Sequence, residues 1–137
     1  MAITIRKVKK VNQVVMLDSQ IFDYDQDSPV ATEGAHWWVA FDGEAPVAYA
    51  GVKISDEKLA FLCRSGVLPD YRGKGLQAKL IRARVSWARK QGIKQAVTYT
   101  VLDNPASSNN LIRCGFKLYI PEWKWGGKEA LYWFCKL

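Results

Sequence analysis

The sequence predicts an α/β fold of the α+β kind, with segments in the order β-α-βββ-α-β-α-β-β. Three observations predict it. Between residues 36 and 67 three strand-like runs follow one another, parted by the turn residues Asp42-Gly43 and Ser55-Asp56-Glu57, so the middle of the chain reads as an antiparallel meander. Residues 76–91 then repeat apolar side chains along one helical stripe, Leu76, Leu80, Ala83 and Trp87, with Ile81, Val85 and Ala88 beside it. Residues 94–101 return to alternation with β-branched side chains, as a strand does.

Each element has its own signal. Ile3, Ile5 and Val8 open a short strand, and Val11, Val14, Val15 and Leu17 give residues 10–22 helical spacing. Residues 23–35 are polar, hold Ser28-Pro29 and Gly34, and read as a loop with room for a short helix. The meander strands are 36–41, 45–54 and 58–67. Residues 68–75 form a loop, and Gln91-Gly92 stops the long helix. Pro105 suits the first turn of a short helix over 105–113, which Cys114-Gly115 ends. Closing strands over 116–120 and 130–137 lie around Gly126-Gly127. Trp123, Trp125, Tyr132 and Trp133 default to hairpin packing; a subunit interface, an acceptor wall and base stacking are the alternatives.

Composition narrows the function. The chain has 137 residues, 49% hydrophobic and 24% charged, as expected of one soluble globular domain over 1–137. No apolar run approaches the ~20 residues of a membrane span, and the opening residues lack the apolar core of a secretory signal. The cysteines Cys63, Cys114 and Cys135 are odd in number and scattered, which points to free thiols and a cytoplasmic protein. With His36 as the one histidine, no metal site is expected, and His36 itself reads as a structural residue in a strand.

The net charge is +7, unevenly spread. Nine of the 13 acids fall between Asp18 and Glu57, while 15 of the 20 bases fall from Lys58 onward. This is either an ordinary solvated surface or two faces with two ligands. In the second case the basic half suits a phosphorylated cofactor or nucleic acid, and the acidic segment around Asp23, Asp25 and Asp27 suits a cationic partner.

The chemistry concentrates in the loop before the long helix. The first N–H groups of a helix have no internal acceptor, and the helix dipole is positive at that end. Gly73 and Gly75 let the backbone turn and let a ligand approach, while Arg72 and Lys74 add positive charge. Strand, basic glycine-rich loop and strong helix together make a phosphate or pyrophosphate site. The P-loop pattern is absent, because Gly73-Lys74 is followed by Gly75. Gly73-Lys74-Gly75-Leu76-Gln77-Ala78 fits the dinucleotide fingerprint, but the loop follows a meander and not the parallel βαβ start that fingerprint needs.

The stretch from Val67 to Leu76 resembles the acetyl-CoA signature of the GNAT superfamily of N-acetyltransferases. That signature runs Gln or Arg, two residues, Gly, one residue, then Gly or Ala, after a Val-x-Pro stretch. Arg72 and Gly75 match its first and fourth positions, and Gln77 departs from its last. Downstream, Asn104-Pro105-Ala106-Ser107 followed by Gly115-Phe116 resembles the family's second pattern, with the spacing of twelve from Asn104 to Phe116.

The resemblance implies a GNAT-like domain whose mixed central sheet of about seven strands is flanked by helices. It implies direct transfer of an acetyl group from acetyl-CoA to a primary amine in a ternary complex. Two parallel strands ending at Val67 and Val101 would splay to admit the pantetheine arm. Val67, Arg72, Gly73, Lys74, Gly75, Leu76, Gln77, Asn104 and Ser107 would bind acetyl-CoA, and a backbone N–H near Val67 would stabilise the oxyanion. Loss of one such donor typically costs about 3–4 kcal/mol. Asn104 also reads as a helix cap.

The expected partner is an amine-bearing small molecule or peptide; nucleic acid and membrane are not expected, and a homodimer fits the family. The positions at which many relatives carry a glutamate or a tyrosine hold other residues here, among them Tyr99 and Leu111. A thiolate leaves without a strong acid, since its pKa is near 8.5. Tyr99, as a relay through water, and Glu33, as base or cation binder, are the remaining catalytic candidates; Cys63 lacks a histidine to activate it. The acids before His36 favour a cationic acceptor. The alternative function is a GNAT-like binding module, without strong catalysis, for nucleic acid or an acidic partner.

Overall fold

The computed structural model describes residues 2–25 and 28–137. Strand β1 (Ile3–Val8) leads into helix α1 (Asn12–Ile21). The meander is β2 (Ala35–Asp42), β3 (Ala45–Ile54) and β4 (Leu59–Val67). A single 3-10 turn, Pro69–Tyr71, precedes helix α2 (Leu76–Lys90). Strand β5 (Gln95–Val101), helix α3 (Pro105–Arg113), β6 (Lys117–Tyr119) and β7 (Ala130–Lys136) complete the order. The expected sequence of elements is the observed one, and the described residues form a mixed α/β fold with a seven-stranded sheet and three α-helices.

The strands lie in the order β1-β2-β3-β4-β5-β7-β6. All neighbours are antiparallel except β4 and β5, which are parallel. The last strand inserts between β5 and β6, an arrangement that local sequence signals do not specify.

Layering explains why residues 36–41 are apolar without alternation. Trp37, Val39 and Phe41 pack with Val14 and Leu17 of α1, while Trp38 and Ala40 belong to the core that holds Leu80, Val85 and Ala88 of α2. Both faces of the sheet are covered, so both parities must be apolar. Full burial of a side chain such as Leu17 or Leu80 contributes roughly 1.5–3 kcal/mol. His36 shares parity with Trp38 and lies against Trp87, ring centroids 4.4 Å apart.

Some boundaries differ from expectation. Helix α2 ends at Lys90, with Gln91 as its cap, and β6 keeps only three residues of the expected 116–120. Among the described residues, 23–35 hold no helix, because Pro29 and the turn at Gly34 interrupt the chain. The expected loop over 68–75 contains a 3-10 turn at Pro69–Tyr71, with Pro69 at its start.

The sheet opens in its middle. Pairing of β4 with β5 covers only Leu59 to Phe61 against Gln95 to Val97, although β4 runs on to Val67 and β5 to Val101. At the fork Thr98 Oγ1 donates to the Leu62 carbonyl over 2.8 Å, taking an acceptor that no longer has a strand partner there. On the other edge of β4, Ala50 pairs with Ser65 and Val52 with Leu62, so Cys63 and Arg64 stand opposite Gly51 alone. Such a bulge bends the strand that carries it. It lies at the level where β5 parts from β4.

Candidate functional site

The open fork faces the start of α2. Gly73 (φ +75°) and Gly75 (φ +79°) both adopt the left-handed conformation, which costs other residues roughly 1–2 kcal/mol. A Cβ at either position would meet nothing within 4 Å, so these glycines are needed for the turn and not for internal space. Gly75 is the N-cap and supplies no capping side chain. The first helical bond is Lys79 N–H to the Gly75 carbonyl, 3.1 Å. The N–H groups of Leu76, Gln77 and Ala78 therefore have no acceptor within the helix. The buried side chains of Leu76 and Ala78 anchor the turn to the core.

A cavity of about 720 Å³ lies over this turn. Val67, Arg72, Gly73, Gly75, Leu76, Gln77, Asn104 and Ser107 all line it. Lys74 does not; its Nζ sits 5.7 Å from the Tyr71 ring centroid. Arg72 Nε donates to the Val67 carbonyl at 3.1 Å, which ties the loop to the end of β4. Tyr71 in turn donates to Asp42 at 2.6 Å. On the facing side, Asn104 Oδ1 accepts from Ser107 N–H at 3.1 Å, so Asn104 caps α3 while it lines the cavity.

A second cavity, about 510 Å³, occupies the fork itself. It shares Phe22, Ser65, Gln77, Asn104, Ser107 and Asn110 with the first, so the two spaces meet between β4, the start of α2 and α3. Tyr99 lines it, 40% exposed. The Tyr99 ring stacks on Phe61 at 6.3 Å between centroids and meets the edge of Trp125 at 5.5 Å. Gly126 allows that packing, because a Cβ there would lie 2.6 Å from the ring. Of the other late aromatics, Tyr132 and Trp133 are buried and Trp123 is exposed.

Glu33 is exposed and lines neither cavity. Asp23 and Asp25 are likewise exposed and outside both linings, and Asp27 lies outside the described residues. None of the described acids between Asp23 and His36, Glu33 included, therefore lies on the wall of either cavity. The Asp23, Asp25 and Glu33 carboxylates sit on a surface loop, where water solvates them better than a cavity wall would. His36 lines neither cavity, and burial together with nearby Lys7 lowers its pKa. Burial pushes the Cys63 thiol up, against a nucleophilic role.

One network was not legible beforehand. Asp18 on α1 is fully buried and accepts from Tyr24, from Tyr49 and from Arg64, with Arg64 Nε at 2.8 Å and Nη2 at 3.2 Å. Burial alone would raise the Asp18 pKa; the three donors outweigh it and hold the carboxyl below its usual range. The network fastens α1 to β3 and β4 and neutralises Arg64, whose guanidinium also covers the Phe22 ring at 4.1 Å. Arg84 is a second buried charge: its spacing from Leu80, Ile81 and Ala88 puts an arginine on the apolar stripe of α2. Among the described residues no cluster of three or more metal-ligating side chains occurs, and no helix is long and apolar enough to cross a membrane.

Residues 10–116 match the model of the acetyltransferase (GNAT) family. Solved structures with the same fold include an IAA acetyltransferase from Bacillus cereus, 15% identical, with a TM-score of 0.80 over 99% of this chain and 100% of that one. A PaiA N-acetyltransferase from Thermoplasma acidophilum in complex with coenzyme A is 16% identical, with a TM-score of 0.79 over 100% of both chains. A chain from Bacillus anthracis, solved in complex with acetyl coenzyme A, is 16% identical, with a TM-score of 0.77 over 100% of this chain and 99% of that one. No curated protein matches the sequence.

Proposed function

This chain belongs to the acetyltransferase (GNAT) family, and from that premise we propose that it moves an acetyl group from acetyl-CoA to a primary amine by direct transfer in a ternary complex. The observation that carries the reading is the junction of two cavities where β4 and β5 part. One cavity lies over the uncapped, glycine-opened start of α2 and the other reaches into the fork. A donor and an acceptor held on opposite sides meet there without a covalent enzyme intermediate.

The residues divide the work. The N–H groups at the start of α2, with Arg72 beside them, hold the diphosphate of acetyl-CoA. Asn104 and Ser107 border the path of the pantetheine arm on the α3 side. The edge of β4 beyond Leu62, without a strand partner on the β5 side, offers backbone groups to that arm and to the developing oxyanion near Val67. The amine approaches through the fork and must be neutral to attack the thioester carbonyl. Tyr99 stands on that side and passes the amine's proton to water. The C–S bond breaks, coenzyme A leaves as the thiolate and takes a proton from water to become the thiol, and the new bond is an amide.

The test is direct. Millimolar acetyl-CoA is expected to raise the melting temperature, and a panel of amines is expected to reveal at least one that releases free thiol. No thermal shift would overturn the reading. A shift with no turnover on any amine would favour the binding module instead.

A further inference from the structure

The cavity in the fork has a distinctive charge. Among the described residues its lining contains three cations, Lys53, Arg64 and Arg84, and no carboxylate. Arg64 is already neutralised by Asp18. Lys53 is half-buried and has no ion-pair partner among the described residues.

Arg84 is the unusual member. Only 2% of it is exposed, yet it has no acidic partner among the described residues. Nε donates to the Leu80 carbonyl at 3.1 Å, and Nη1 to the carbonyls of Gly51 at 2.9 Å and Cys63 at 3.4 Å. Those two carbonyls belong to the β3–β4 bulge, so part of the guanidinium serves the sheet. Nη2 is different. No described residue accepts from it. The side chain lines the cavity, and the two Nη2 donors have no acceptor among the described residues. Burial pulls the Arg84 pKa down to about 10, which still leaves it charged at neutral pH. A buried cation without a counter-charge is costly and gains strongly from an anion that arrives with a ligand.

We propose that the acceptor is an amine that also carries an anionic group, carboxylate or phosphoryl, and that this group docks on Arg84 Nη2 with Lys53 at the rim. The inference rests on the acetyltransferase reading and names the substrate class of the same site. It replaces the cationic acceptor that the acidic loop had suggested. A polyamine would bring like charge against two cations and find no acid among the described residues of the lining.

The experiment has a turnover arm and a binding arm. In the first, amines that differ in one anionic group are compared: α-, β- and γ-amino acids against their amides, and O-phosphoethanolamine against ethanolamine. At least one acid is expected to exceed its neutral partner by tenfold or more in kcat/KM, chiefly through KM. Which pair responds separates carboxylate from phosphoryl. Lys53→Gln is expected to shrink the preference several-fold and Arg84→Lys to shrink it further. Arg84→Met would leave the bulge carbonyls without a donor, so the conservative variants carry the test if it does not fold.

In the binding arm, N-acetylated amino acids and their amides are titrated while the Trp37 indole N–H is followed by NMR, since Trp37 lines the same cavity. Acids are expected to move that signal at concentrations at least tenfold below the amides, and less so in Lys53→Gln. Acids no better than amides in both arms, with acetyl-CoA still raising the melting temperature, would overturn this inference and leave the transferase reading standing. Acids that move the Trp37 signal without any acetyl-CoA shift would overturn the transferase reading and support the anion site.

Discussion

Ser65 Oγ, on β4, donates to Gln77 Oε1, in the first turn of α2, over 3.3 Å. The contact lies where the two cavities meet. It gives a use to the one residue that departs from the expected loop signature. The Gln77 side chain is turned to the strand, while its backbone N–H stays at the open end of the helix. Gln77→Ala removes a neutral hydrogen bond worth about 1 kcal/mol and leaves that N–H in place. Calorimetry is expected to show acetyl-CoA affinity changed by less than roughly fivefold, the equivalent of that one bond.

Gly75 tests the diphosphate site. Gly75→Val forces a branched side chain to φ +79° and places a Cβ in the space above the helix start. A stability loss of about 1–2 kcal/mol is expected, together with loss of the acetyl-CoA thermal shift. Gly92→Val is the matched control. Gly92 has φ +81° just beyond the other end of α2 and lines neither cavity, so the strain should be similar and the thermal shift retained. If both variants kept the shift, the diphosphate would not lie at the start of α2.

Asn104 combines a cap with a position on both cavities. Asn104→Ala is expected to cost about 1 kcal/mol through the cap alone. Asn104→Asp retains a capping oxygen and adds negative charge at a helix start, so its melting temperature should not fall. The same charge faces the cavity of a polyanionic ligand, and acetyl-CoA affinity should weaken in Asn104→Asp. Parallel urea melts and calorimetry separate the two roles.

Tyr99→Phe keeps the stack on Phe61 and removes the hydroxyl. If the hydroxyl passes the proton, kcat should drop by at least about tenfold while the KM for acetyl-CoA stays put. An unchanged kcat across pH would remove Tyr99 from the mechanism.

The Asp18 network makes stability depend on acid. The folded-state pKa of Asp18 lies below the ordinary 3.8. Its contribution is therefore complete above the unfolded value and is lost as pH falls through the folded one. Urea melts between pH 5 and pH 3 should show wild-type stability declining more steeply than that of Asp18→Asn. At neutral pH Asp18→Ala, which strips the partner from Arg64 and from two tyrosine hydroxyls, should cost about 3–5 kcal/mol.

Local sequence was sufficient where the physics is local. The spacing of Leu76, Leu80 and Trp87, the turn pairs of the meander and Pro105 at a helix start fixed the elements to within a residue or two, because propensity and periodicity act over one element at a time. The glycine-rich turn was legible for the same reason: two left-handed residues before a helix need glycine, and the orphan N–H groups follow from helix geometry. What lines a cavity is settled by pairing between distant segments. The β7 insertion, the bulge that sets Gly51 against Cys63 and Arg64, and the early end of β4–β5 pairing bring Arg84, Lys53 and Tyr99 around one space while leaving Glu33 in solvent. Charge along the chain therefore did not foretell charge in the cavity, since a carboxylate on a hydrated loop and an arginine on a buried stripe are sorted by tertiary burial and not by their order in the sequence.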